Sequence, residues 1–143
     1  MKSKKCKVFE VIITSLVIMF IVSTTVLADV NVSSHVKIYG KVWRSVYTGK
    51  MDSYSNELTI RVTDINNADN EDSDYKRVRG RVAYNSGGTL SICSSEVTLE
   101  VKSDTLIRLT SYYGKGTKMT LGMKGNNPNL DAYVAFKVLG LSD

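Results

Sequence analysis

Among 143 residues there are one proline, one tryptophan, one histidine and two cysteines. With a single proline and 43% apolar residues, the chain is neither a polyproline or collagen repeat nor a disordered tract. Two cysteines cannot make a disulfide-stapled miniprotein. One histidine beside those cysteines gives no zinc spacing, and the sequence contains no phosphate loop and no nucleophile elbow. Paired catalytic carboxylates would have to come from Glu57, Glu96 and Glu100, and nothing singles out two of them. The expectation is a non-catalytic protein with no cofactor.

Long apolar runs are also scarce. Only residues 11–27 form one, preceded by Lys2, Lys4, Lys5 and Lys7 and ended by Ala28. Basic head, apolar stretch and small residue are the three parts of a secretory signal peptide, so residues 1–28 are read as an export signal with a helical apolar segment. The competing expectation is a retained anchor, because the run sits at the short end of the roughly 17–25 residues that span a bilayer. A lipid-modified cysteine does not fit, since Cys6 precedes the run. The expected destination is secreted, extracellular or envelope-associated, in a bacterium, and the membrane is a partner only through this segment.

The formal charge of +5 changes meaning once the leader is set aside. That segment holds four of the nineteen bases and one of the fourteen acids, so residues 29–143 carry fifteen against thirteen. A net of +2 implies no nucleic-acid partner. These 115 residues suit one domain, and they keep only Cys93, so no internal disulfide supports them.

Period-two alternation runs through most of this domain, while helical periodicity is hard to find. Residues 35–47 read as one strand, with Val36, Ile38, Val42 and Val46 opposite Lys37, Tyr39, Lys41, Trp43 and Tyr47. Further strands are expected over 57–63, 75–84, 89–93, 96–102, 105–113, 117–124 and 131–139. Asn85-Ser-Gly-Gly88 supplies a hairpin turn. Seven or eight short amphipathic strands predict an all-β fold, a single antiparallel β-sandwich or small barrel.

Three clusters carry possible chemistry. Residues 64–74 put five acids among three asparagines. Calcium needs about six to eight such oxygens; the spacing fails the EF-hand pattern, and the expectation is a solvated loop without metal. Lys76 then precedes Arg77, Arg79 and Arg81, three guanidiniums on one strand face about 6.6–6.8 Å apart. These either meet successive anionic groups of a ligand or pair with nearby acids. Finally Tyr39, Trp43 and Tyr47 interleave with lysines on the expected first strand, where rings could stack on sugars. The functional expectation is a binding module for an anionic or glycan polymer, or for another surface protein, using Arg77, Arg79, Arg81, Tyr39, Trp43 and Tyr47. The alternative is a self-associating or protein-binding effector of bacteriocin or toxin type. Cys93 is expected to be a packed core residue.

Overall fold

A computed structural model describes residues 29–67, 77–128 and 131–143. Among the described residues ten strands follow one another: β1 (Asp29–Ile38), β2 (Arg44–Met51), β3 (Ser55–Asn67), β4 (Arg77–Ser86), β5 (Thr89–Ile92), β6 (Val97–Glu100), β7 (Asp104–Tyr113), β8 (Lys118–Gly125), β9 (Ala132–Leu139) and β10 (Leu141–Ser142). The named pairs are all antiparallel and make two sheets. One is four-stranded, β1-β9-β3-β7; the other runs β10-β2-β8-β4-β5, with β6 also on β4. The all-β, two-sheet architecture matches the expectation. The proposed signal segment, residues 1–28, lies outside the described residues.

Alternation explains how the layers meet. Met119, Leu121 and Met123 of β8 and Val78 and Val82 of β4 point inward from the six-stranded sheet. Leu58, Ile60 and Val62 of β3, Ile107 of β7 and Val134, Phe136 and Val138 of β9 point inward from the other. All are buried, and each large side chain contributes roughly 1.5–3 kcal/mol of transfer free energy. The sheets are tied at one side by the interruption between β5 and β6. There the Cys93 N–H donates to the Val82 carbonyl of β4 at 3.0 Å, and the Cys93 carbonyl accepts from Thr110 N–H of β7 at 2.7 Å.

Two expectations are corrected. Residues 35–47 are not one strand: β1 ends at Ile38 in the four-stranded sheet, Gly40 and Lys41 turn the chain, and β2 begins at Arg44 in the other sheet. The turn requires glycine, because Gly40 has φ of 45° and a Cβ there would stand 2.6 Å from the Pro128 carbonyl oxygen. Likewise Asp64, Ile65, Asn66 and Asn67 are strand and not loop, since β3 continues to pair with β9 as far as Asn67↔Ala132. Residues 68–74 of the expected acidic loop, and Tyr75 and Lys76 after them, lie outside the described residues.

Candidate functional site

The outer face of the six-stranded sheet is built from the polar half of each alternation. On β4 the outward residues are Arg77, Arg79, Arg81 and Ala83; on β8 they are Lys118, Thr120, Gly122 and Lys124. Register sets them side by side, with Arg79 opposite Lys124, Arg81 opposite Gly122 and Ala83 opposite Thr120. On the far side of β8, β2 contributes Ser45 opposite Gly122 and Thr48 opposite Thr120, the two threonine hydroxyls lying 2.9 Å apart.

Trp43, just before β2, leans over this face. A Cβ on Gly122 would lie 3.6 Å from its ring, in ordinary van der Waals contact, so the indole stands directly over this position of β8. The Arg81 guanidinium carbon is 4.0 Å from the ring centroid and the Lys124 ammonium 4.7 Å. Two cations against one indole are favourable electrostatically, because the ring face carries partial negative charge. Beside them an open groove of about 260 Å³ is lined by Trp43, Arg81, Ala83, Gly122, Leu90 and Ile92 among others. Leu90 and Ile92 stand on the outermost strand, β5, and are 48% and 57% exposed.

The three arginines share a face but differ in state. Arg77 pairs with Glu100 directly across β6 at 3.8 Å, and Arg79 with Glu96 at 3.6 Å. Glu96 also accepts a hydrogen bond from Lys124 at 2.8 Å. That bond, with the charges of Lys124, Arg79 and Arg81, holds the Glu96 carboxyl below its usual range. Among the described residues Arg81 has no carboxylate within 4 Å, and its contact is the indole. Lys50 stands opposite Lys118 at the far end, so among the described residues strands β2, β4 and β8 bring Lys50, Arg77, Arg79, Arg81, Lys118 and Lys124 to this face, beside Glu96 and Glu100.

Around the four-stranded sheet Lys37 pairs with Asp131 at 3.1 Å, Arg61 with Asp104 and Arg108 with Glu57 at 3.5 Å, and the His35 ring is hydrogen-bonded to Asp64 at 2.8 Å. Glu57, Glu96 and Glu100 are thus each beside a cation. Among the described residues no three metal-ligating side chains gather.

Of the aromatic residues singled out from the sequence, only Trp43 joins the arginines. Tyr39 sits beyond the end of β1, exposed, with the Lys37 ammonium 5.1 Å and the Arg44 guanidinium carbon 5.5 Å from its ring centroid. Tyr47 is turned inward by an irregularity of the β2–β8 register between Ser45 and Tyr47, which sets it opposite Leu121. It packs against the core and its hydroxyl donates to Asp143 at 2.8 Å. The contiguous aromatic row expected on one strand is therefore absent. Alternation over 117–124 puts Lys124 opposite Met119, Leu121 and Met123 but gives no reason to join it to Trp43, and nothing in the sequence singles out a partner for Glu96.

No protein-family model and no curated protein matches the chain. Solved structures with a related chain path include a mitogen derived from Yersinia pseudotuberculosis, at 12% identity over 82% of this chain and 89% of that one, TM-score 0.46. A carbohydrate-binding module, CBM36, solved in complex with calcium and xylotriose, is 12% identical over 78% and 98%, TM-score 0.41. An arabinoxylan arabinofuranohydrolase of glycoside hydrolase family 43 from Bacillus subtilis is 10% identical over 81% of this chain and 27% of that one, TM-score 0.49. These likenesses concern the path of the chain and bring no ligand, activity or partner with them.

Proposed function

We propose that the domain is a non-catalytic binding module, exported to the bacterial envelope or beyond it, that lays an anionic or glycan polymer along the outer face of the six-stranded sheet. The observation that carries this reading is the Trp43 ring, with the Arg81 and Lys124 cations against it, lining an open groove. An indole with a small-residue floor next to it offers an apolar surface to a sugar ring, and Arg81 brings a guanidinium with no carboxylate within 4 Å among the described residues. Planar, bidentate donation suits a carboxylate, sulfate or phosphate on such a polymer. The groove is shallow and open at the surface, which fits an extended chain better than an enclosed small molecule. The test is co-sedimentation of the purified domain with isolated bacterial envelopes at low and high salt. Binding that salt weakens, and that Arg81→Ala reduces further, is expected; no binding at low salt would rule the module out.

A second reading has an observation of its own. Leu90 and Ile92 stand exposed on β5, the last strand on that side of its sheet, and an apolar edge strand is a place for another chain to pair. Self-association there predicts a dimer mass in solution that Ile92→Lys abolishes.

A further inference from the structure

Next to the Trp43 groove, on the other side of Lys124, lies a second hollow of about 270 Å³ lined by Lys41, Arg79, Glu96, Lys124, Gly125 and Asn126. Its lining differs from the first, being polar throughout. Three cations and one carboxylate line it, and Glu96 meets two of them, Lys124 at 2.8 Å and Arg79 at 3.6 Å. Lys41, in the turn after β1, has no carboxylate within 4 Å among the described residues. The cations come from three separate places in the chain: the β1–β2 turn, β4 and β8. Three cations around a hollow that holds a single acid are more than a cross-strand pair requires.

Glu96 itself is weakly held. It lies in the interruption between β5 and β6, outside either strand, and its side chain is 37% exposed. Swinging it into water breaks no ladder hydrogen bond and costs little, because an exposed ion pair is worth little. Lys124 lines this hollow, where it meets Glu96, and its ammonium also lies 4.7 Å from the centroid of the Trp43 ring that lines the other. Arg79 and Arg81 sit two residues apart on β4, a step of about 6.6–6.8 Å, so a chain crossing Trp43 and meeting Arg81 passes next over this cup.

We infer that the cup formed by Lys41, Arg79 and Lys124 is a second anion subsite of this face, taking a carboxylate of an acidic polysaccharide, with Glu96 as an internal stand-in that the polymer displaces. The cup already accommodates a carboxylate, the protein's own, and this is why a uronate-like group is the chemistry assigned to it. The inference rests on the anionic-polymer reading above and adds where a second charge binds and what competes for the place.

The test measures binding of polygalacturonate, its fully methyl-esterified form and dextran sulfate to the wild type and to Glu96→Gln, Glu96→Ala and Lys41→Ala, at low salt, with melting temperatures checked alongside. Both Glu96 variants are expected to bind polygalacturonate about two- to fivefold tighter than the wild type, and Lys41→Ala about two- to fivefold weaker. Affinity for the esterified polymer, which lacks the charge, is expected to be the same for all four proteins. Unchanged or weaker polygalacturonate binding by folded Glu96→Gln and Glu96→Ala overturns the displaced stand-in, while wild-type binding would leave the wider reading standing. A gain for dextran sulfate without one for polygalacturonate overturns the carboxylate assignment. A wild type that binds no acidic polymer at all removes the anionic-polymer reading, and the subsite with it.

Discussion

The Arg81 guanidinium lies 4.0 Å from the centre of the Trp43 ring although β8 stands between β4 and β2, the strand that Trp43 precedes. The two side chains meet over Gly122, which is opposite both Ser45 and Arg81. An arginine stacked this way is pre-positioned and spends less conformational entropy when it takes a ligand anion. Trp43→Ala and Arg81→Ala should each weaken polymer binding several-fold. The double variant should lose less than the sum, with a coupling of about 0.5–1 kcal/mol between the two side chains. Strict additivity in a double-mutant cycle of binding energies would show that the contact has no part in recognition. Arg81→Lys should not restore the wild type, because an ammonium offers neither the stacking plane nor the paired donors.

The turn at Gly40 delivers Trp43 to that place. Gly40→Ala combines a backbone conformation that favours glycine with a Cβ 2.6 Å from a backbone oxygen, and the Gly40 carbonyl is also the acceptor for Gly125 N–H at 2.7 Å. A loss of about 1–3 kcal/mol in urea unfolding is expected. Gly114→Ala serves as the contrast, because nothing lies within 4 Å of a Cβ there, and it should be neutral or slightly stabilising. Equal effects of the two substitutions would contradict this account.

These two positions also indicate how far the sequence could be read. Where alternation is uninterrupted, as in Met119, Leu121 and Met123 or Val78, Gly80 and Val82, inward and outward rows follow from side-chain chemistry alone, and they did so here. The hairpin at Gly87 and Gly88, both at positive φ, was legible for the same local reason. Residues 35–47 misled because the period of two persists in the letters across a turn and an irregular register. Neither changes residue type in a way that pattern reveals, so Tyr47 came out on the wrong face. Asp64 and Asn66 looked like loop because their strand shows polar groups outward and only Ile65 partly inward. The site itself was half visible. The arginine row is local to β4, whereas its union with Trp43, Lys124 and Glu96 depends on strand order, which alternation does not encode.

Cys93 should behave as a core side chain. It is 2% exposed, and burial pushes its thiol above the ordinary range, against weaker opposing hydrogen bonds with Tyr113 and the Tyr84 backbone. Thiolate is the reactive form, so both access and ionisation protect it. A disulfide reagent should modify the native protein no faster than the chain unfolds, and the rate should rise in step with urea-induced opening. Rapid stoichiometric labelling of the folded protein would refute this. Non-reducing electrophoresis of the purified domain should accordingly show no dimer linked through Cys93.

Alkaline pH should weaken the fold through Tyr47. Its phenol is pushed up to about 12, first by burial and then by its hydrogen bond to Asp143 and the nearby carboxylate charge. Tyr113 shifts in the same direction, again mainly by burial. In the unfolded chain a tyrosine ionises near 10. Below that pH both states keep the proton and Tyr47 gives no pH dependence. Between 10 and about 12 the unfolded state loses protons that the folded state retains, so stability falls as pH rises, and the fall levels off above the folded value. Ultraviolet titration should show one tyrosine ionising near 12 that disappears in Tyr47→Phe. Urea unfolding of that variant should decline less steeply with pH over the same window, and an identical slope in the two proteins would mean that Tyr47 is not the group responsible.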